Sequence, residues 1–191
     1  MDRVLVAYGS KYGATAEIAE AIGTALRAHG LEAEVRRARA VRSLEGYQAA
    51  VVGSAVYAGR WRADALRLLN AQRTWLTAHD VWLFSSGPVG EDDPKADPAE
   101  AERWTKPPKV QHLATEIGAH DHAVFGGKVD VDRGFIRKKM AVKMPEATRD
   151  RRDWAEVATW ADGIASALAA TRAATHTATL TSEVRPPAVD A

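Results

Sequence analysis

Ser10, Gly13 and Thr15 stand where a sequence can do chemistry. They directly follow the apolar run Val4-Leu5-Val6-Ala7 and precede Ile18, Ile22, Ala25 and Leu26, which recur at helical spacing. A strand that turns at once into a helix leaves the first helical N–H groups without partners, at the positive end of the helix dipole. The hydroxyls of Ser10 and Thr15 add donors, and Gly13 lets the backbone curl around an oxygen cluster. The stretch Ser10-Lys11-Tyr12-Gly13-Ala14-Thr15 is therefore expected to hold a phosphate. No Gly-Lys-Ser/Thr follows, so it is not a Walker loop. With only Gly9 and Gly13 present it is not the dinucleotide Gly-x-Gly-x-x-Gly either.

Two further apolar runs end in small and aromatic residues. Ala49-Ala50-Val51-Val52-Gly53 leads into Ser54-Ala55-Val56-Tyr57-Ala58-Gly59-Arg60-Trp61. Asp80-Val81-Trp82-Leu83-Phe84 leads into Ser85-Ser86-Gly87-Pro88-Val89-Gly90. Such loops suit a flat heteroaromatic ligand with a phosphate tail. Tyr57 or Trp61 offers a stacking face, and the small residues expose backbone amides to ring nitrogens and carbonyls.

The elements that must bring these loops together read as alternating strands and helices. Leu31, Ala33 and Val35 alternate with charged residues, which describes an edge strand with one wet face. A short helical turn is expected near Val41 to Leu44. Leu66, Leu69 and Leu76 mark a helix from Ala63 to Thr77, and Pro107-Pro108 delays the next helix to about Lys109 to Ile117. Ala123-Val124-Phe125-Gly126 is the fifth strand. The last helix, Asp153 to about Ala170, carries Trp154, Val157, Ala161, Ile164 and Leu168 on one stripe. Five strands alternating with helices imply a doubly wound parallel α/β sheet, for which the order 2-1-3-4-5 places the wet strand at an edge. Its switch point lies between strands one and three, where the three loops converge at the strands' carboxyl ends. The folded part spans 1–170, with a long insertion at 127–152, and the Ala/Thr-rich segment 171–191 is expected to be a disordered tail.

Composition narrows the chemistry. In 191 residues with 46% hydrophobic content there is no cysteine, so no thiolate or iron–sulfur ligand is available and redox chemistry requires a bound cofactor. No run reaches the roughly 18 apolar residues of a membrane span, and the chain opens on a core strand, so a cytoplasmic protein is expected. The net charge of +1 hides an acidic block (Glu91, Asp92, Asp93, Asp97, Glu100 and Glu102 against Lys95) and a basic one. In the latter, Arg133, Arg137, Lys138, Lys139, Lys143, Arg149, Arg151 and Arg152 face only Glu146 and Asp150. His112 and His120-Asp121-His122 lack a fourth ligand at metal spacing, and the acidic block reads as a solvated turn, so no metal is expected. Near neutrality without a recognition motif argues against nucleic acid.

Tyr8-Gly9-Ser10-Lys11-Tyr12-Gly13-Ala14-Thr15 resembles the phosphate loop of flavodoxins, a hydroxyl residue, two variable residues, Gly, one residue and Thr, which wraps the terminal phosphate of FMN. The resemblance covers roughly Met1 to Ala170 and extends in particular to the flavodoxin-like menaquinone-dependent protoporphyrinogen IX dehydrogenases. These are similar in the Gly53–Gly59 loop, the Phe125-Gly126-Gly127-Lys128 turn, the basic segment through Met144, and Arg152-Asp153-Trp154. It implies FMN as cofactor, held by the three loops, with the chemistry on the flavin and a small-molecule or quinone redox partner. The interleaved basic and apolar residues of 133–144 would then meet a quinone or the membrane surface that holds it. A flavodoxin-type carrier between protein partners is the alternative, although such carriers are typically acidic. A flavin-less interaction module is a third reading, because Lys11 and Tyr12 replace small hydroxyl residues.

Overall fold

The computed structural model describes residues 2–87, 105–128 and 149–183. Its centre is a parallel sheet of β1 (Arg3–Gly9), β2 (Glu32–Arg37), β3 (Ala49–Tyr57), β5 (Asp80–Gly87) and β6 (Asp121–Gly126), in the order β2-β1-β3-β5-β6. This is the doubly wound order expected for the main strands, with β2 at an edge. A sixth, two-residue strand, β4 (Arg60–Trp61), pairs antiparallel with the end of β3. The sequence reads 54–61 as a loop; instead β3 continues through the buried Ala55 and Val56 and folds back. Ala58 (φ 49°) and Gly59 (φ 66°) both take the left-handed conformation that a tight two-residue hairpin demands. β5 likewise takes in Ser85 and Ser86.

Alternation along the strands sorts the core into two layers. Leu5, Ala7, Ala50, Val52 and Leu83 pack on one face against α2 (Ala63–Ala71), α3 (Arg73–Leu76) and α4 (Pro108–Glu116). Val4, Val6, Val51, Trp82, Phe84 and Phe125 pack on the other against α1 (Ala14–Ala28) and α5 (Trp154–Glu183). The register sets Val51 beside both Val6 and Trp82, so the centre of the sheet is buried on both sides.

Several expectations are corrected. The helix expected over 63–77 breaks at Gln72 (φ −107°), whose side-chain amide donates to the Arg42 carbonyl. The short helical turn is a 3₁₀ turn at Ala38–Ala40, and Leu44 is buried in the core. Trp154 leaves the α5 stripe: it is 45% exposed and lies under the Arg152 guanidinium at 4.6 Å. Trp160 packs instead, against Phe84 and Phe125, and its indole N–H donates to Asp121 (2.6 Å). The helix runs past Ala170 to Glu183, where a disordered tail was expected from 171, because the Ala-rich segment meets no helix breaker before Pro186. Among the described residues no helix is long and apolar enough to cross a membrane.

Gly53 sits at the centre of β3 because an added Cβ would lie 2.0 Å from Cζ of the buried Phe84 ring. Gly53→Ala should therefore lower unfolding free energy by about 1–3 kcal/mol in urea titrations, as overpacking does. Unchanged stability would mean that the ring does not rest on this backbone.

Candidate functional site

Helix α1 starts on Gly13, held at φ 106°, a value that glycine adopts readily and that leaves the helix without a side-chain cap. The Gly13 N–H donates to Ser10 Oγ (3.1 Å), and the Gly13 carbonyl accepts from Ala16 and Glu17. The amides of Ala14 and Thr15 meet no acceptor among the described residues. Thr15 is buried and shares a 2.8 Å hydrogen bond with Ser86, which ties the first turn of α1 to the end of β5.

A narrow cleft, partly open to solvent, lies at this point. It is lined by Ser10, Tyr12, Ala14 and Thr15 of the first loop, Ala55, Val56 and Tyr57 of β3, Ser86 and Gly87 of β5, and Gly127 and Lys128 beyond β6. Tyr12 and Tyr57 meet edge to face, with centroids 6.0 Å apart. Three segments expected to converge do so, at the carboxyl ends of β1, β3 and β5.

Not every expected residue faces the cleft. Trp61 is corrected: it is 4% exposed, its N–H donates to Ser85 Oγ (2.8 Å), and its indole is turned into the core, so that of the two expected aromatics Tyr57 lines the cleft, beside Tyr12. Ser54 and Ser85 are fully buried; Ser54 Oγ accepts from the Arg62 amide and donates to the Ala55 carbonyl. Ala58 and Gly59 form the hairpin tip. Lys11 is exposed with its ammonium 5.0 Å above the Tyr12 ring, while Gly13 shapes the loop without lining the cleft. Pro88, Val89 and Gly90 lie outside the described residues, as does the basic segment 133–144.

Gly127 and Lys128 are the lining residues that site reasoning from sequence left out; the paired glycines before a lysine at the end of a strand were their signal. A Cβ on Gly127 would lie 2.8 Å from the Gly87 carbonyl carbon, so the two backbones touch. The insertion begins and ends here: Lys128 and Asp150 form an antiparallel bridge, and the Arg151 amide donates to the Gly127 carbonyl (3.1 Å). Arg152, with its side chain 4% exposed, binds Asp150 and Glu17 of α1 at 2.6 Å each. These carboxylates hold its guanidinium firmly charged, and Arg152 in turn holds the Asp150 carboxyl below its usual range.

A family model described as a flavodoxin domain matches residues 5–153. The chain belongs to the flavodoxin family. A search of curated proteins finds no match. Among solved structures, the domain is similar to Streptococcus pneumonia TIGR4 flavodoxin, with a TM-score of 0.55, 16% identity and coverage of 86% of this chain and 98% of that one. It is similar to flavodoxin 1 of Bacillus cereus (TM-score 0.55, 17% identity, 84% and 95% covered). It also matches rubredoxin oxygen:oxidoreductase from Desulfovibrio gigas (TM-score 0.60, 16% identity, 89% of this chain), of which it spans 37% of the length. These likenesses establish the flavodoxin fold.

On the sheet face opposite α1, this flavodoxin domain buries a polar chain. His122 Nε2 lies 2.9 Å from Ser85 Oγ, and its ring stands edge-on to Trp61. With the Gln111 amide nitrogen facing Nδ1 (3.3 Å), Nδ1 accepts and Nε2 carries the ring proton, given to Ser85. Burial, with Lys106 nearby, pushes the His122 pKa down from 6.5 to about 4. An unfolded histidine takes up a proton near pH 6.5 and the folded one near 4, so between these values the unfolded state binds more protons. Stability should fall by about 3 kcal/mol as pH drops through that window, with no contribution above it. His122→Gln should flatten this part of the curve in denaturant titrations from pH 7 to 4; parallel curves for parent and variant would contradict a neutral buried imidazole.

Proposed function

We propose that this flavodoxin domain binds FMN non-covalently and acts as an FMN-dependent oxidoreductase on an organic substrate, with a quinone as acceptor. The observation that carries the reading is the uncapped first turn of α1 at the cleft. The amides of Ala14 and Thr15, together with the hydroxyls of Ser10 and Thr15, form a donor set that matches a phosphate. Thr15 Oγ1 shares a 2.8 Å hydrogen bond with Ser86 Oγ, which holds the threonine hydroxyl at the cleft beside this donor set. Tyr57 would lie against the ring, and Ser86 and Gly87 would offer backbone groups to it. Bound FMN supplies the electron transfer, while these residues bind, orient and partly desolvate it.

Two observations favour an enzyme over a carrier between proteins. The chain carries a net charge of +1 rather than a strongly acidic surface, and the insertion leaves and rejoins the fold at the cleft. That insertion, and the motifs shared with menaquinone-dependent protoporphyrinogen IX dehydrogenases, support a hydrophobic substrate and a quinone, reached through peripheral contact of 133–144 with the membrane surface.

Losing a hydrogen bond to a charged acceptor costs about 1.5–3 kcal/mol, so Thr15→Val should weaken FMN roughly 10- to 150-fold with the circular dichroism spectrum unchanged. An unaltered dissociation constant would contradict the phosphate placement. Tyr57→Ala should restore bound-flavin fluorescence. In an anaerobic reductive titration the enzyme reading expects a single two-electron step, whereas two resolved one-electron steps would favour the carrier.

A further inference from the structure

The cleft has two walls, and two ties cross between them. One wall is the first turn of α1; the other is the backbone at the ends of β5 and β6, where Gly87 and Gly127 lie against each other. The direct tie is the Thr15–Ser86 hydrogen bond. The second runs through the neck of the insertion, which packs on the second wall backbone to backbone. A Cβ on Gly126 would meet the Arg151 carbonyl oxygen at 1.8 Å, and the Arg151 amide donates to the Gly127 carbonyl (3.1 Å). From this neck Arg152 reaches Glu17, in the first turn of α1, with Nη1 2.6 Å from the carboxylate.

Three elements meet at that guanidinium. Asp150 of the neck accepts from Nε (2.8 Å) and Nη2 (2.6 Å), Glu17 of α1 accepts from Nη1, and the Trp154 ring of α5 lies 4.6 Å away on its face. A planar fork can serve all three at once, which a lysine ammonium cannot. The Arg152 side chain is only 4% exposed, so its end of the contact is shielded from the screening that weakens open surface pairs. We propose that Arg152 is a positioning residue for the phosphate turn and couples the neck of the insertion to the cleft: FMN held between the two walls stabilises the neck's hydrogen bonds, and breaking the Arg152–Glu17 contact loosens FMN. This rests on the FMN reading above. Such coupling is reciprocal, so a contact that strains the neck weakens the hold on the flavin.

The test follows hydrogen exchange at the Arg151 amide of the full chain, with and without saturating FMN, in the parent, Glu17→Gln and Arg152→Lys. FMN dissociation constants and thermal midpoints are measured alongside. In the parent, FMN should slow this exchange at least about five-fold. In both variants the slowing should disappear, while FMN still protects the amides of Ala14 and Thr15. Glu17→Gln, a change at an exposed helix position, should also raise the FMN dissociation constant about three-fold, although it removes a negative charge from the phosphate turn. Charge alone predicts tighter binding, so the sign separates positioning from electrostatics. An unchanged or lowered FMN constant in folded Glu17→Gln, or neck protection that persists in it, would overturn the proposal. A parent that binds FMN without slower Arg151 exchange refutes the coupling alone, whereas a parent that binds no FMN overturns the FMN reading itself.

Discussion

A helix must place its first amides somewhere, and among the described residues α1 offers no acceptor to those of Ala14 and Thr15. Serine, threonine or aspartate at the N-cap would satisfy one such amide from within the chain, and an apolar residue such as alanine there costs about 0.5–2 kcal/mol. Gly13 provides no side chain, and its positive φ turns the loop so that Ala14 and Thr15 line the cleft. The positive end of the α1 dipole thus faces the cleft, and an anion binding there, as proposed, would stabilise the fold by mass action.

Everything around this turn serves to hold it still. The sheet is buried on both faces, Thr15 is tied to Ser86 across the α1–β5 contact, and Arg152 joins the same turn to the neck of the insertion. A site made of backbone amides is only as good as the backbone's position, because a donor displaced by an ångström is no longer within hydrogen-bond reach. On the proposed FMN reading the protein's part is placement and charge, and the flavin would carry the electrons.

The parts of this arrangement that follow periodicity were legible in the sequence. The apolar runs gave the strands, the alternation at Leu31, Ala33 and Val35 gave the edge, and the glycine at 13 between Ser10 and Thr15 gave the turn into α1 at the cleft. What was not legible depends on long-range partners. Trp61 reads as a ligand-facing aromatic until Ser85, twenty-four positions on, supplies an acceptor inside the core. Trp154 fits the apolar stripe of α5 by spacing, yet it sits at the helix's first position, where the stripe has left the sheet and Arg152 covers its ring. Lys128 follows paired glycines at a strand's end, a local signal, but its bridge to Asp150 across the neck of the insertion is a long-range contact that no local pattern encodes.

Whether the first turn of α1 receives the phosphate of FMN is decided by a crystal structure of the protein grown with FMN. Phosphate density is expected within hydrogen-bond distance of the Ala14 and Thr15 amides and Thr15 Oγ1, with the ring against Tyr57. Density for the flavin at another surface, or a phosphate bound away from this turn, would contradict it.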